Sequence, residues 1–171
     1  QLSLLLVEDS EDDAILLVRE LKRGGYNVDY KRVANHAGLQ QALENGGWDL
    51  VITDHNLPGF SSEQAIVMVK DSGHDIPVII VSGANRMSDA IQALKRGAWD
   101  YIAKPITDLE ILDTAVARSL DRARLIKENQ AYQSDLERLN RELTQVVSQL
   151  REDEEAARAL QIRMLPQSDQ Q

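Results

Sequence analysis

The distribution of chain breakers constrains this sequence more than any other feature. All nine glycines and three of the four prolines precede residue 106, and residues 106–165 contain neither. Because glycine and proline interrupt helices and strands, the first part must be built from short elements, whereas the second can form one long helix. We predict a globular domain over residues 1–122 and a helical segment over residues 123–165. Residues 166–171 are interpreted as the start of a further domain or as a tail.

In the first part, short apolar runs alternate with helical patterns. The apolar runs cover residues 2–7, 28–33, 50–53, 78–82 and 99–103. The helical segments begin near Asp12, His36, Ser62, Arg86 and, after the last run, Ile106. Such alternation indicates a parallel sheet, and runs that are apolar on both faces fit strands covered by helices on both sides. We therefore predict a doubly wound, five-stranded α/β domain.

The second part carries two helical stripes that differ in phase. The first stripe should pack against the sheet and contains Leu109, Leu112, Val116, Ser119 and Ala123. The second repeats with alternating spacings of four and three residues, which is the pattern of a coiled-coil seam. The seam begins with Leu125, Asn129, Tyr132, Leu136, Leu139, Leu143, Val146 and Leu150, and continues to Met164. The change of phase indicates that the helix packs first on the domain and then on a second partner.

We expect that partner to be a second copy of the chain. The seam would be about 60 Å long, and an isolated helix with one apolar stripe is poorly stabilised in water. Asn129 falls at an a position, where buried asparagines pair across a parallel two-stranded coil. The alternative is that the helix folds back on a domain outside this sequence.

Charge and composition argue against several classes of function. The chain has 19 Lys and Arg against 28 Asp and Glu, so its formal net charge is −9, and it has no local basic patch. We therefore expect no direct binding of nucleic acid, whose phosphates such a chain repels. The chain has no cysteine, which excludes disulfides and thiolate metal sites. No apolar run reaches the length of a membrane span, so we expect a cytoplasmic protein without membrane contact.

Polar residues stand at the ends of four predicted strands, where ligands bind in parallel α/β sheets. Glu8 and Asp9 follow the first strand, Asp54 ends the third, Ser82 closes the fourth and Lys104 follows the fifth. Clustered carboxylates repel one another unless a cation neutralises them, and oxygen ligands suit Mg²⁺. A carboxylate beside Mg²⁺, with a lysine and a hydroxyl nearby, is suited to accept a phosphoryl group.

Four motifs together carry a family resemblance. They are LLVEDS (residues 5–10), VITDHNLPG (51–59), IVSG (80–83) and DYIAKP (100–105). In order and spacing they resemble the motif set of the CheY-like receiver domains of two-component response regulators, over about residues 2–120. The resemblance implies a flavodoxin-like fold with strand order 2-1-3-4-5. It also implies a signalling phosphoprotein rather than a classical enzyme, with phosphoryl transfer confined to its own acceptor.

The resemblance implies that Asp54 is the nucleophile and phosphoacceptor. Asp9 and Asp54 would bind Mg²⁺ together with the backbone carbonyl of Asn56, and Glu8 would help to hold the metal through water. The family often has Asp where this chain has Glu8, so the extra methylene bears on the details of the metal geometry.

The same resemblance assigns the phosphoryl contacts and the switch. Lys104 would contact the phosphoryl group, Ser82 would bond to it and move toward it, and Tyr101 would swing inward as Ser82 vacates space. The implied phosphoryl donor is a histidine kinase or a phosphotransfer protein.

A second resemblance concerns the helical segment. The stretches LDRARLIKENQ (120–130) and ARALQIRMLP (157–166) resemble the linker of regulators related to RssB. In that group the linker leads from a receiver into a PPM-type phosphatase or pseudophosphatase domain, and some members are adaptors for a sigma factor. The resemblance implies an effector domain or protein partner of this class.

Three other functions fit the sequence less well than that of a receiver. An aspartate-nucleophile hydrolase usually needs a second acid two residues after the nucleophile, but that position is Asn56. A phosphate-independent dimerisation or adaptor module would have a vestigial site. Here every residue of the site is present, namely Glu8, Asp9, Asp54, Ser82 and Lys104. A dinucleotide-binding domain would need a glycine-rich turn after the first strand, which is absent.

Several polar residues have simpler interpretations. Glu11, Asp12 and Asp13 suit the start of a helix, where acids are favoured by the helix dipole. The three histidines show no ligand spacing and are interpreted as surface or loop residues. His55 directly follows the acceptor, and tuning of access to it is the alternative role for that residue.

Overall fold

The computed structural model describes residues 1–83, 87–106 and 108–165. Its strands are β1 Leu2–Val7, β2 Val28–Val33, β3 Leu50–Asp54, β4 Asn56–Leu57, β5 Phe60–Ser61, β6 Val78–Ser82 and β7 Asp100–Ala103. Its helices are α1 Glu11–Arg23, α2 His36–Asn45, α3 Ser62–Asp71, α4 Met87–Arg96 and α5 Leu109–Met164. Residue contacts divide the chain into two units, Gln1–Leu125 and a second that begins at Ile126.

Five strands form one parallel sheet in the order β2-β1-β3-β6-β7. Counted without the short β4 and β5, this is the order 2-1-3-4-5, so the predicted flavodoxin-like fold is confirmed. The crossover from β1 through β2 back to β3 places β1 and β3 side by side. The residues that follow these two strands therefore meet at the carboxyl edge of the sheet.

The core has two layers because side chains alternate across each strand. Leu5, Val51 and Ile80 pack with residues of α2, α3 and α4 on one face. Leu6 and Ile79 pack with residues of α1 and α5 on the other. The central strands are almost wholly buried, and truncating one of their leucines or isoleucines to alanine typically costs about 2–5 kcal/mol. This packed sheet is the rigid support of the residues at its edge.

Helix α1 starts close to the sheet edge because Ser10 caps it. The Ser10 hydroxyl accepts from the backbone N–H of Asp13 at 3.3 Å, and acids fill the first turn, as the dipole favours. Ala14, Val18 and Leu21 then recur at helical spacing and are buried against the sheet. The helix therefore begins at Glu11, one residue before the start predicted near Asp12.

Other boundaries also differ slightly from the predictions. Strand β3 includes Asp54, which the third predicted run left out. Strand β7, the fifth predicted run, begins at Asp100 rather than at residue 99. Helix α5 begins at Leu109 rather than near Ile106. The predicted start of the fourth helix at Arg86 lies outside the described residues, which show α4 from Met87.

Helix α5 changes its environment along its 56 residues. In the first unit it buries Leu112, Val116, Ser119 and Ala123, as the first stripe predicts. In the second unit the seam residues are exposed; Leu136 is 65% and Leu143 61% exposed. Among the described helices, none combines the length and the apolar character needed to cross a membrane. The predicted segment 166–171 lies outside the described residues.

Candidate functional site

Three acids meet at the carboxyl edge of the sheet. Glu8 and Asp9 directly follow β1, and Asp54 is the last residue of β3. One carboxylate oxygen from each lies within 4.8 Å of the others. Glu8 is buried, Asp54 is half-buried and Asp9 is exposed, so the group opens to solvent on one side. Hard oxygen donors at this separation fit a small divalent cation such as Mg²⁺.

Lys104 supplies the positive charge of the site. It follows β7, and its Nζ atom lies 3.2 Å from Glu8 Oε2 and 3.3 Å from Asp54 Oδ2. The same atom lies 3.5 Å from Asp13 Oδ2. One lysine therefore pairs with three carboxylates, and the cluster keeps an excess of negative charge for a cation to neutralise.

The ionisation of Glu8 and Lys104 reflects this crowding. Burial raises the pKa of the Glu8 carboxyl, and Asp9 and Asp54 act in the same direction, against the Ser10 N–H and Lys104. Burial by itself would lower the pKa of Lys104, but the negative charges of Asp54 and Glu8 outweigh it and the pKa is raised. The lysine therefore stays charged at neutral pH, whereas burial and the neighbouring acids make ionisation of Glu8 less favourable than in water.

Ser82 and Tyr101 lie on the two neighbouring strands. Ser82 ends β6, is fully buried and accepts a backbone hydrogen bond from the N–H of Lys104 at 2.7 Å. Tyr101 lies in β7 opposite Ile80 and packs partly buried against the core. The sheet thus brings Ser82 next to Lys104, and the switching roles of Ser82 and Tyr101 stay predictions.

Asn56 is held beside the acceptor by a small hairpin that the sequence analysis did not predict. Its backbone N–H donates to Asp54 Oδ1 at 3.3 Å. Strands β4 and β5 pair Asn56 with Ser61 and Leu57 with Phe60. Gly59 in the turn has a φ of 66°, which favours glycine. The peptide backbone of Asn56 is therefore fixed next to the carboxylate cluster.

Two residues near the cluster were also missed. Arg32, on β2, donates from Nη1 to the carbonyls of Glu8 at 3.1 Å and Asp9 at 3.4 Å, which holds the acidic loop in place. Asp13 was interpreted only as a helix-start acid, but it also reaches Lys104. Its position one helical turn after Asp9 could have indicated this contact, because the start of α1 lies at the same edge of the sheet.

A cavity of about 550 Å³ borders the cluster. Asp54, Lys104 and Glu8 line one side, and the rest of the lining combines apolar residues such as Leu17 and Ile106 with charged residues of α1. All of these residues belong to the first unit. The acceptor carboxylate therefore borders a cleft that combines charged and apolar lining residues.

Comparisons with known proteins agree with this geometry. A family model described as the response regulator receiver domain matches residues 4–116. The swarming motility regulation protein RssB of Serratia marcescens is 31% identical over 116 residues, which cover 68% of this chain and 52% of that protein. That alignment is about as long as the family match, and this chain spans only about half of that relative.

Solved structures share the fold. The signal receiver domain of a putative Luxo repressor protein from Vibrio parahaemolyticus is 31% identical, with a TM-score of 0.66 over 74% of this chain and 95% of that one. The receiver domain of the sensor histidine kinase PA1611 from Pseudomonas aeruginosa PAO1 is 23% identical, with a TM-score of 0.60 over 70% and 98%. That structure holds a magnesium ion in its active-site cleft; at this identity the likeness shows the fold alone.

Proposed function

This chain belongs to the response-regulator receiver family, and on that premise we propose that it accepts a phosphoryl group on Asp54 and relays the change through a dimeric helical linker. Receiver domains are signalling domains of two-component systems and not classical enzymes. The observation that carries the proposal is that Asp54, at the end of β3, and Glu8, directly after β1, both lie within 3.3 Å of the Lys104 ammonium group, which follows β7.

The transfer itself needs little beyond positioning and charge. An Asp54 carboxylate oxygen attacks the phosphorus of the donor, and the bond between phosphorus and the donor's leaving atom breaks as the new P–O bond forms. With a phosphohistidine donor that bond is P–N, and the imidazole nitrogen keeps the electron pair and takes a proton. Lys104 pairs with one phosphoryl oxygen and the Ser82 hydroxyl donates to another. Water later attacks the phosphorus, the bond between phosphorus and the Asp54 oxygen breaks, and inorganic phosphate leaves while the Asp54 carboxylate is restored.

The acidic cluster is the proposed Mg²⁺ site. Asp9 and Asp54 would bind through their carboxylates and Asn56 through its backbone carbonyl, while Glu8 would act through water. Bound Mg²⁺ supplies positive charge for the transferring phosphoryl group. The fit is supported by the oxygen-only donor set and by the negative charge that Lys104 leaves uncompensated.

The donor is proposed to be a histidine kinase or phosphotransfer protein. Such a protein must bring a phosphohistidine to Asp54, and the cavity beside Asp54 gives it an opening. Its apolar lining residues offer the donor a surface to pack against, while Lys104 offers charge to its phosphoryl group.

The second unit is proposed to pair with a second copy of itself. The seam from Leu125 to Leu150 is exposed along its whole length, so a chain on its own would leave a long apolar stripe in water. A coiled coil would bury it. We further propose a cytoplasmic regulator with an effector that is either a PPM-type phosphatase-like domain or a partner in a sigma-factor pathway, as the linker resemblance implies.

Helix α5 gives the proposed relay a physical basis. It is one helix from Leu109 to Met164, so it belongs to both units. Within the first unit Arg118 pairs with Asp100, and the guanidinium of Arg122 lies 4.5 Å from the centre of the Trp99 ring. Both contacts are made at the start of β7, the strand that ends beside Lys104. A shift of β7 on phosphorylation would therefore reach α5.

Intact mass spectrometry tests the acceptor. The chain is incubated with Mg²⁺ and a small phosphodonor such as acetyl phosphate, and wild type is compared with Asp54→Asn. We expect one added phosphoryl group in wild type and none in the variant or in EDTA. A folded wild-type protein that gains no phosphoryl group would instead support the phosphate-independent dimerisation or adaptor module.

Light scattering tests the dimer separately. We expect a dimer mass for wild type and a monomer mass for Leu143→Lys, because a charge would replace a seam leucine. Gln145→Lys is the matched control, since it adds the same charge two residues away and off the seam, and it should remain dimeric. A monomeric wild type would contradict the proposed dimer and would leave the proposed phosphorylation of Asp54 unaffected.

A further inference from the structure

His55 lies in the chain between the acceptor Asp54 and Asn56, and its ring is held by a residue on the far side of the β4–β5 hairpin. The Nδ1 atom of His55 and the hydroxyl oxygen of Ser62 are hydrogen bonded at 2.9 Å. The backbone N–H of His55 also donates to the carbonyl of Val81 at 3.0 Å. His55 is thus tied at once to β6 through its backbone and to α3 through its ring.

Ser62 is a firm anchor for this ring. It is the first residue of α3, and only 1% of it is exposed. The helix start is fixed by a capping box, in which the Ser61 hydroxyl accepts from the Gln64 N–H at 3.2 Å and Gln64 Oε1 accepts from the Ser61 N–H at 3.1 Å. A buried hydroxyl needs a partner, and the His55 ring supplies it.

The hairpin of β4 and β5 spans the gap between His55 and Ser62. Of its two cross-strand pairs, the one between Leu57 and Phe60 is buried, and the turn at Gly59 closes its tip. The His55–Ser62 bond closes its open end. Asn56, the first residue of the hairpin, therefore has little freedom to move toward or away from the acidic cluster.

We propose that His55 is a positioning residue for the metal site, whose bond to Ser62 sets the place at which the Asn56 carbonyl meets a cation held by Asp9 and Asp54. The inference rests on the proposed function, because it needs that cation. His55 does not coordinate the metal; it restrains the peptide that does. Interactions just outside a set of metal ligands commonly change metal affinity by about 10–100-fold.

The chemistry of the His55 ring offers matched substitutions. Asparagine places its δ atom the same number of bonds from the backbone as His Nδ1, so His55→Asn can keep the bond to Ser62. Phenylalanine keeps the ring volume and loses the bond. Ser62→Ala removes the same bond from the other side, and His74→Phe makes the same change at an exposed histidine elsewhere in the first unit.

Calorimetric titration of the whole chain with Mg²⁺ is the test, with unfolding in EDTA measured alongside to confirm the fold. We expect His55→Phe and Ser62→Ala each to raise the Mg²⁺ dissociation constant about tenfold. The double variant should bind no more weakly than either single one, because both remove the same bond. His55→Asn and His74→Phe should bind Mg²⁺ like wild type.

The outcomes separate this inference from the proposed function. A wild type that binds no Mg²⁺ overturns the proposed metal site and the inference with it. A wild type that binds Mg²⁺, together with a His55→Phe protein that binds it as tightly, overturns the inference alone. Effects of His55→Phe and Ser62→Ala that add independently also overturn it. If His55→Phe does not fold, Ser62→Ala and His55→Asn decide the question by the same criteria.

Discussion

The ammonium group of Lys104 lies 3.3 Å from the acceptor carboxylate of Asp54, although 50 residues separate them in the chain. The same group lies 3.2 Å from Glu8, 96 residues away. Both contacts are fixed by the sheet, because each residue lies at or directly after the carboxyl end of one of its strands. The sheet itself therefore holds the charges that the proposed phosphoryl transfer needs.

The first prediction concerns Lys104→Met, which keeps most of the side-chain length and removes the charge. We expect phosphorylation of Asp54 by a small phosphodonor to slow by about 100-fold, as for other removals of a charge-stabilising donor. The rate is measured by intact mass over time in saturating Mg²⁺. Lys95→Met, on the exposed side of α4, is the control and should react at the wild-type rate. An unchanged rate in Lys104→Met would show that Lys104 has no part in the transfer.

The second prediction follows from the raised pKa of Glu8. A group whose pKa is raised by folding contributes stability that is complete below its unfolded pKa, about 4.5, and is lost as pH rises through the folded pKa. In EDTA, the free energy of unfolding should therefore fall less between pH 4.5 and pH 7 in Glu8→Gln than in wild type. Urea unfolding at both pH values measures this. Glu44→Gln, a change at an exposed acid on α2, is the control and should lose as much unfolding free energy between the two pH values as wild type. The same loss in Glu8→Gln as in wild type would contradict the prediction.

The third prediction concerns the metal. Mg²⁺ that binds only the folded chain should raise its free energy of unfolding by about 2.7 kcal/mol at 100 times the dissociation constant. The gain should be smaller in Asp9→Asn at the same Mg²⁺ concentration, because a carboxylate ligand is lost. Unfolding in EDTA and in Mg²⁺ gives the difference directly. Equal gains in both proteins would place the cation elsewhere.

The fourth prediction concerns Asn129 in the seam. Replacing it with leucine removes the proposed polar pair, so the coil should unfold at a higher temperature and lose its preference for two strands. Light scattering should then show species larger than a dimer. Gln130→Leu, the neighbouring position outside the seam, should stay dimeric. A dimeric Asn129→Leu protein of unchanged stability would mean that Asn129 is not buried in a coil.

The fifth prediction concerns the contact between Arg118 and Asp100. Arg118 is mostly exposed, so Arg118→Ala should cost less than about 1 kcal/mol of stability and leave phosphorylation of Asp54 intact. If α5 carries the signal, this variant should show a smaller change in spin-label distances across the coil on phosphorylation. Labels at Gln145 of both copies measure it. A change equal to that of wild type would separate the relay from this contact.

Much of the fold follows from the sequence because short strand-like runs alternate with helical patterns, and the central runs are apolar on both faces. The runs at Leu2–Val7, Val28–Val33 and Val78–Ser82 match the observed strands residue for residue. Element ends are less predictable: capping by Ser10 starts α1 at Glu11, one residue before the predicted start, although α3 begins at Ser62 as predicted. The hairpin of β4 and β5 was missed because strands of two residues have no detectable period.

The candidate site was predictable to the extent that strand ends coincide in space. The acids, Ser82 and Lys104 converge because parallel strands share one carboxyl edge. Arg32 and Asp13 were missed because their contacts depend on strand register and on the angle of α1, which the sequence pattern does not contain. The hydrogen bond between His55 and Ser62 likewise depends on how the hairpin folds back, and no sequence motif predicts it.

The central claim is that the phosphoryl group goes to Asp54 and to no other residue. Treating the phosphorylated chain with borohydride reduces an aspartyl phosphate to homoserine, and peptide mass spectrometry then locates it. Our account predicts homoserine at position 54 only, in Mg²⁺ and phosphodonor, and unmodified aspartate there in EDTA. Homoserine at position 9, or a phosphoryl group retained on another residue type with Asp54 unchanged, would contradict it.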